Sequence, residues 1–174
     1  KKKLKLYYRA STQIFFKNLY GKVSASNTGA KLIIKEKIND NSFKKYNGEN
    51  YHIYKIKNAR IFTDNNENVA IIKNNFILPS ISFQQIKGSL TSAKYNSVLK
   101  FGTPSFAKRI RGKVFNLCQG DSGNNYFHFI FDIIPKINLL SAKKKLNEIN
   151  YFYLTNPKKW QIKILKILGI RENN

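Results

Sequence analysis

Apolar and polar positions along the 174-residue chain change rhythm twice. Residues 1–50 carry the weakest pattern. Leu4 to Tyr8 is read as a strand with a basic edge, and Lys31 to Ile38 alternates loosely as another. Asp40 to Asn50 is polar, with Asn47-Gly48 as a turn signal. From Tyr51 to Lys57 the alternation sharpens into a strand. Asn58 to Phe62 and Val69 to Lys73 flank the polar cluster Asp64-Asn65-Asn66-Glu67, which predicts a hairpin. Phe76-Ile77-Leu78 follows and Pro79 closes it. Ser89 to Gly112 reads as irregular. The last third alternates element types. Val114 to Leu117 is a short strand, Gly120 to Asn124 a loop, and Tyr126 to Leu140 a long apolar helix with Asn124 or Asn125 at its N-cap. Lys143 to Asn147 is a polar connection, with Lys143-Lys144-Lys145 read as solvated. Tyr151 to Leu154 is strand-like. Asn156 as cap, Pro157 at the first helical position and Trp160 to Leu168 make a second helix, which Gly169 ends. Strand, helix, strand, helix predicts a βαβ unit with parallel strands. The expected fold class is α/β, with an N-terminal extension over 1–50, a β-rich region over 51–113 and the βαβ unit over 114–174.

Composition adds three constraints. Apolar residues make up 42% of the chain, and Phe and Tyr are plentiful, so a packed core is expected and disorder is not. The formal net charge is +23. It has two readings: an anionic partner such as nucleic acid, lipid or a phosphorylated substrate, or a coding bias that enriches Lys, Asn and Ile together. The second weakens the case for nucleic acid, because Lys far outnumbers Arg and phosphate or base readers favour the planar guanidinium. Attraction to anionic membrane surfaces follows under both. Cys118 is the single cysteine, which excludes an internal disulfide and a multi-cysteine zinc site, and it reads as a small buried hydrophobe. No run has the length of a transmembrane helix, and no signal peptide or Asn-x-Ser/Thr sequon is visible. The chain lacks Met and opens on Lys1-Lys2-Lys3, which is read as a segment of a longer protein.

The candidate chemistry lies in the first helix of the βαβ unit. Within Asn125-Tyr126-Phe127-His128-Phe129-Ile130-Phe131-Asp132-Ile133-Ile134-Pro135, His128 and Asp132 are four apart and share a face, with Asn125 three before His128. They are the polar side chains of an otherwise apolar stretch, which is expected to be buried. Two readings stand. The pair can satisfy each other and nearby backbone. Alternatively it can line a cleft at a helix N-terminus beside a glycine-containing loop, a setting suited to anions or sugars. An Asp held by a His can also take a proton from a sugar hydroxyl.

The same residues carry a resemblance. A glycine-containing loop leading into Asn125-x-x-His128-x-x-x-Asp132-x-x-Pro135, then a strand, then a helix with Trp160-Gln161 and Leu168-Gly169-Ile170, resembles glycosyltransferase family 61 over about fifty residues. The resemblance also accounts for Pro135, which otherwise removes a hydrogen bond and kinks the helix. It implies an inverting transferase of the two-Rossmann-domain GT-B type, metal-independent or loosely metal-dependent. A nucleotide-sugar donor is the co-substrate and a glycan or protein the acceptor. The match is to the N-terminal half, a β-rich region followed by the start of a Rossmann-like domain. That implies an acceptor-side surface without a complete donor site, inactive alone. Asp132 and His128 take the catalytic positions, and Asn125, Gly123, Asn124 and Asp121 the substrate side. Where relatives carry Trp beside the His, Phe129 stands here. Family habit places such an enzyme in bacterial surface-polysaccharide assembly, cytoplasmic and peripheral to the inner face of the membrane.

Other positions have two readings each. Asp121 binds a hydroxyl or forms a turn with Ser122-Gly123. Lys108, Arg109, Arg111 and Lys113 clamp a diphosphate or form a solvated face. Trp160 stacks on sugar or joins the core, and His52 is an outward strand residue. The competing function is a non-catalytic basic module for nucleic acid or an anionic glycan or lipid surface, with His128 and Asp132 buried and mutually paired.

Overall fold

The computed structural model describes residues 2–25, 33–38, 51–64, 68–86, 89–103, 105–119, 123–143 and 145–171. The predicted turn over Asp40 to Asn50 lies outside them. The helices are α1 (Lys2–Tyr20), α2 (Ser97–Phe101), α3 (Tyr126–His128), α4 (Ile134–Ala142) and α5 (Lys159–Ile167), with a π-helical turn Phe129–Ile133 between α3 and α4. The strands are β1 (Ser24–Ala25), β2 (Ile34–Lys37), β3 (His52–Lys55), β4 (Arg60–Asp64), β5 (Asn68–Lys73), β6 (Phe76–Ile77), β7 (Phe83–Ile86), β8 (Ser89–Ser92), β9 (Val114–Asn116) and β10 (Tyr151–Tyr153). The chain is mixed α/β and forms two compact units. One takes α1, β1, β4 to β8 and α2. The other takes β2, β3 and everything from residue 110 onward.

In the first unit β5 is the centre of a six-stranded sheet in the order β1-β6-β5-β7-β8, with β4 also paired to β5. Val69, Ala70, Ile71 and Ile72 are all buried, the signature of a strand covered on both faces. The predicted hairpin is present: β4 runs antiparallel to β5, with Arg60 opposite Ile72 and Asp64 opposite Asn68. β5 turns into β6 through Asn74-Asn75, both at positive φ, as a two-residue primed turn requires. The core joins Val23, Ala70, Ile72, Ile77, Ala93 and Val98. Two expectations fail here. Leu4 to Tyr8 is not a strand but part of the 19-residue α1. Five mostly apolar residues suggested a strand, whereas a run without Gly or Pro sustains a helix until Gly21. Gly21, at φ +80, donates its N–H to the Lys17 carbonyl. Ser89 to Gly112 is not wholly irregular, since it holds β8, a 3-10 turn (Ala93–Tyr95) and α2. These pieces are too short for periodicity to show.

In the second unit β2 and β3 form an antiparallel pair. β9 and β10 are parallel, with Val114 opposite Tyr151 and Asn116 opposite Tyr153. The helical segment 126–142 is the crossover that a parallel pair needs. Its inner face supplies Phe129, Ile133 and Ile137, which pack with Leu117, Leu165 and Ile170. α5 starts later than predicted. Asn156 sits at φ +44 and turns the chain, and Lys158 is the N-cap, its N–H donating to Gln161 Oε1 at 2.7 Å. Gly169 ends the helix as predicted. Its N–H reaches the Lys166 carbonyl and that of buried Ile170 reaches Leu165, the paired bonds of a Schellman cap. The expectation that Lys143-Lys144-Lys145 is solvated fails for Lys145, which pairs with Glu36. Glu36 also holds Lys55 at 2.8 Å, and these two cations pull its carboxyl down to about 2.

Candidate functional site

β9 runs into Leu117 and Cys118, both fully buried, so the chain leaves the carboxyl end of a parallel strand through the core. Cys118 packs as the expected small hydrophobe. Gly120, Asp121 and Ser122 lie outside the described residues, so the proposed role of Asp121 has no structural account. Gly123 is buried and Asn124 exposed in the turn before the helix.

Asn125 is the N-cap of α3. Its Oδ1 accepts from Phe127 N at 2.9 Å and His128 N at 3.4 Å, leaving its Nδ2 amide to donate elsewhere. One turn on, His128 Nδ1 lies 2.9 Å from Asp132 Oδ2. The two side chains keep 37% and 31% of their surface open, so the pair is neither buried nor free in solvent. A carboxylate only accepts. The neutral imidazole therefore carries its proton on Nδ1 and presents Nε2 as an acceptor.

The helix does not simply kink at Pro135. The Ile134 N–H reaches back five residues to the Phe129 carbonyl, so one extra residue is accommodated just before the proline. Pro135 lacks the donor that an α-turn needs and its ring crowds the carbonyl four residues back. A π-turn at that place absorbs the misfit, and such turns are enriched at functional positions.

The predicted burial of this apolar helix holds on one face only. Phe129 and Ile133 are fully enclosed, but Tyr126, Phe127 and Phe131 are about three-fifths exposed. Phe127 and Phe131 pack ring to ring at 4.5 Å, and Phe127 meets the His128 ring edge-on at 5.8 Å. The pair is thus bordered by aromatic surface open to solvent. Trp160 takes the core reading. It contacts Phe129 at 5.1 Å and is covered by Tyr126, also at 5.1 Å.

Lys136 was not foreseen. It lies four residues beyond Asp132, its Nζ donates to the Cys118 carbonyl at 3.4 Å, and burial pushes its amine down to about 8 against the opposing pull of the Asp132 carboxylate. The spacing 128, 132, 136 was the available signal. It was masked because lysine on a helix ordinarily reaches solvent.

Of the expected basic cluster, Lys108, Arg109 and Arg111 are exposed, and Lys113 pairs with Glu148 at 2.7 Å. His52 is half-buried beside Tyr54 rather than fully outward. Among the described residues, no three His, Cys, Asp or Glu side chains gather as a metal site. A concavity of about 250 Å³ in the first unit, edged by Lys17, Lys22 and Lys100, contains none of the predicted site residues. No protein-family model, no curated protein and no solved structure matches the chain.

Proposed function

We propose that the chain carries the acceptor side of an inverting glycosyl-transfer site, in a protein resembling glycosyltransferase family 61, with the βαβ unit as the start of a Rossmann-like domain of GT-B type. The observation that carries the reading is the part-exposed His128–Asp132 pair at 2.9 Å, bordered by Phe127 and Phe131. It follows the carboxyl end of a parallel strand, where open α/β sheets place their ligands. Flat aromatic surface beside hydrogen-bonding groups suits a sugar, whose ring offers both C–H faces and hydroxyls.

In this reading the acceptor hydroxyl donates to His128 Nε2. Its oxygen forms a bond to the anomeric carbon of the nucleotide-sugar as the bond to the diphosphate breaks, and the diphosphate leaves with the electron pair. His128 takes the hydroxyl proton. Asp132 orients the ring and stabilises the imidazolium. The base role thus moves from Asp132 to His128, with Asp132 as its partner. Lys136 supplies positive charge on the inner side of Asp132. The basic-module alternative expects a pair that is mutually bonded and buried; the mutual bond fits both readings, and the part exposure of both side chains favours the transfer reading.

The test is glycan-array binding with the 174-residue chain, beside His128→Ala and Phe127→Ser/Phe131→Ser. The reading expects a defined set of neutral glycans to bind and both variants to lose them while circular dichroism stays native. Binding that is absent, or identical in all three proteins, removes the acceptor site.

A further inference from the structure

We propose that the outer face of α1, together with the segment 105–109, is a docking surface for an anionic lipid bilayer. Both elements belong to the first compact unit. Phe16 and Tyr20, four apart and stacked, mark the inward face of α1, and Phe16 is buried. Tyr8, Phe15 and Leu19 fall on a neighbouring stripe at seven- and four-residue spacing, and Tyr7 and Ile14 form a second stripe about 100° further round the helix. All five are at least half exposed, Tyr8 at 73% and Leu19 at 52%.

A second element extends this face. Phe106 sets its ring against Phe15 at 5.9 Å and Phe16 at 5.1 Å, and the adjacent Ala107 N–H donates to Tyr20 Oη at 2.8 Å. Anchored this way, Phe106 still leaves 73% of its surface open, and exposed Lys108 and Arg109 follow it directly. Aromatic and aliphatic groups from two elements therefore form one open apolar face with cations at its border.

Charge selects the occupant. Seven of residues 1–22 are Lys or Arg, and the first acidic residue of the chain is Glu36. A second copy of the same face would oppose like charges, which disfavours self-association. A nucleic acid would meet the cations but give Ile14 and Leu19 nothing apolar to bury against, since such interfaces are polar. An anionic bilayer meets both demands: headgroups meet the exposed Lys108 and Arg109 at the border, tyrosines lie at headgroup level, and acyl chains receive Phe and Leu. Among the described residues no helix is long and apolar enough to cross a membrane.

The experiment is co-sedimentation of the 174-residue chain with vesicles of phosphatidylcholine alone and of phosphatidylcholine mixed equally with phosphatidylglycerol. The native chain should partition onto the mixed vesicles at least about tenfold more strongly. Tyr8→Ser/Phe106→Ser should lower that partition by about tenfold. Because Phe106 touches Phe15 and Phe16, Tyr7→Ser/Leu19→Ser is the companion variant if melting shows the first to be destabilised. Serine variants that fold and bind mixed vesicles as strongly as the native chain overturn the proposal. So does tighter binding to single-stranded RNA than to the mixed vesicles, which would mean attraction to any polyanion.

Discussion

Two asparagines hold the same post in the two units and end in opposite circumstances. Asn96 caps α2 and Asn125 caps α3, each through Oδ1 to backbone N–H groups. Asn96 is buried, and its Nδ2 donates to the Phe83 carbonyl at 2.9 Å and the Val69 carbonyl at 3.3 Å, which ties the helix to the sheet. Every hydrogen-bonding group of Asn96 is used inside the fold. Asn125 is half-buried, uses Oδ1 alone, and stands beside a His–Asp pair that is itself partly open. One residue type in one capping role is thus structural where the surroundings consume its polar capacity. It is a candidate for binding where they do not.

The largest effect that would test this contrast is on stability. Asn96→Ala removes a cap and both side-chain bonds that tie the helix to the sheet, and is expected to cost about 3 kcal/mol in denaturant unfolding. Asn125→Ala should cost only about 1 kcal/mol and act mainly on glycan binding. Equal costs at both positions would erase the distinction.

Lys136 gives the next effect, of opposite sign. Its folded pKa, about 8, lies below its ordinary 10.5. The unfolded chain therefore binds more protons between those values, and stability rises with pH across that window. Below pH 8 the full cost of enclosing the charge is present. Lys136→Met should stabilise the protein by about 2 kcal/mol at pH 7, after allowing for the lost bond to the Cys118 carbonyl. The gain should shrink as pH rises from 8 to 10.5. A destabilised variant would mean that the amine is held for structure rather than for the site.

The smallest effect concerns Glu36, whose carboxyl is lowered from 4.5 to about 2 by Lys145 and Lys55. The stability it contributes is complete above pH 4.5 and lost as pH falls through 2. Glu36→Gln should flatten the acid side of the stability profile within that window, measured by thermal melting from pH 5 to 2. An unchanged profile would make the two ion pairs inconsequential.

These contrasts also explain what was legible in the sequence. The β4–β5 hairpin, the βαβ order, the Asn125 cap and the Gly169 stop were readable because each rests on local chemistry: alternation, a turn cluster, a side-chain acceptor, a left-handed residue. The four-residue spacing brought His128 to Asp132 for the same reason. α1 was missed because its periodicity emerges over nineteen residues, which a window of five does not reveal. β8 and α2 were too short to carry a period. The depressed amine of Lys136, the π-turn before Pro135 and the open rings of Phe127 and Phe131 depend on what packs against the helix, which no spacing records.

The most direct measurement is a double-mutant cycle on glycan affinity with His128→Ala, Asp132→Asn and the two combined. A pair that works as one unit predicts that the double variant loses no more affinity than the worse single variant. Additive losses, or none in any variant, would contradict a working His128–Asp132 pair and leave it as a helix-surface contact.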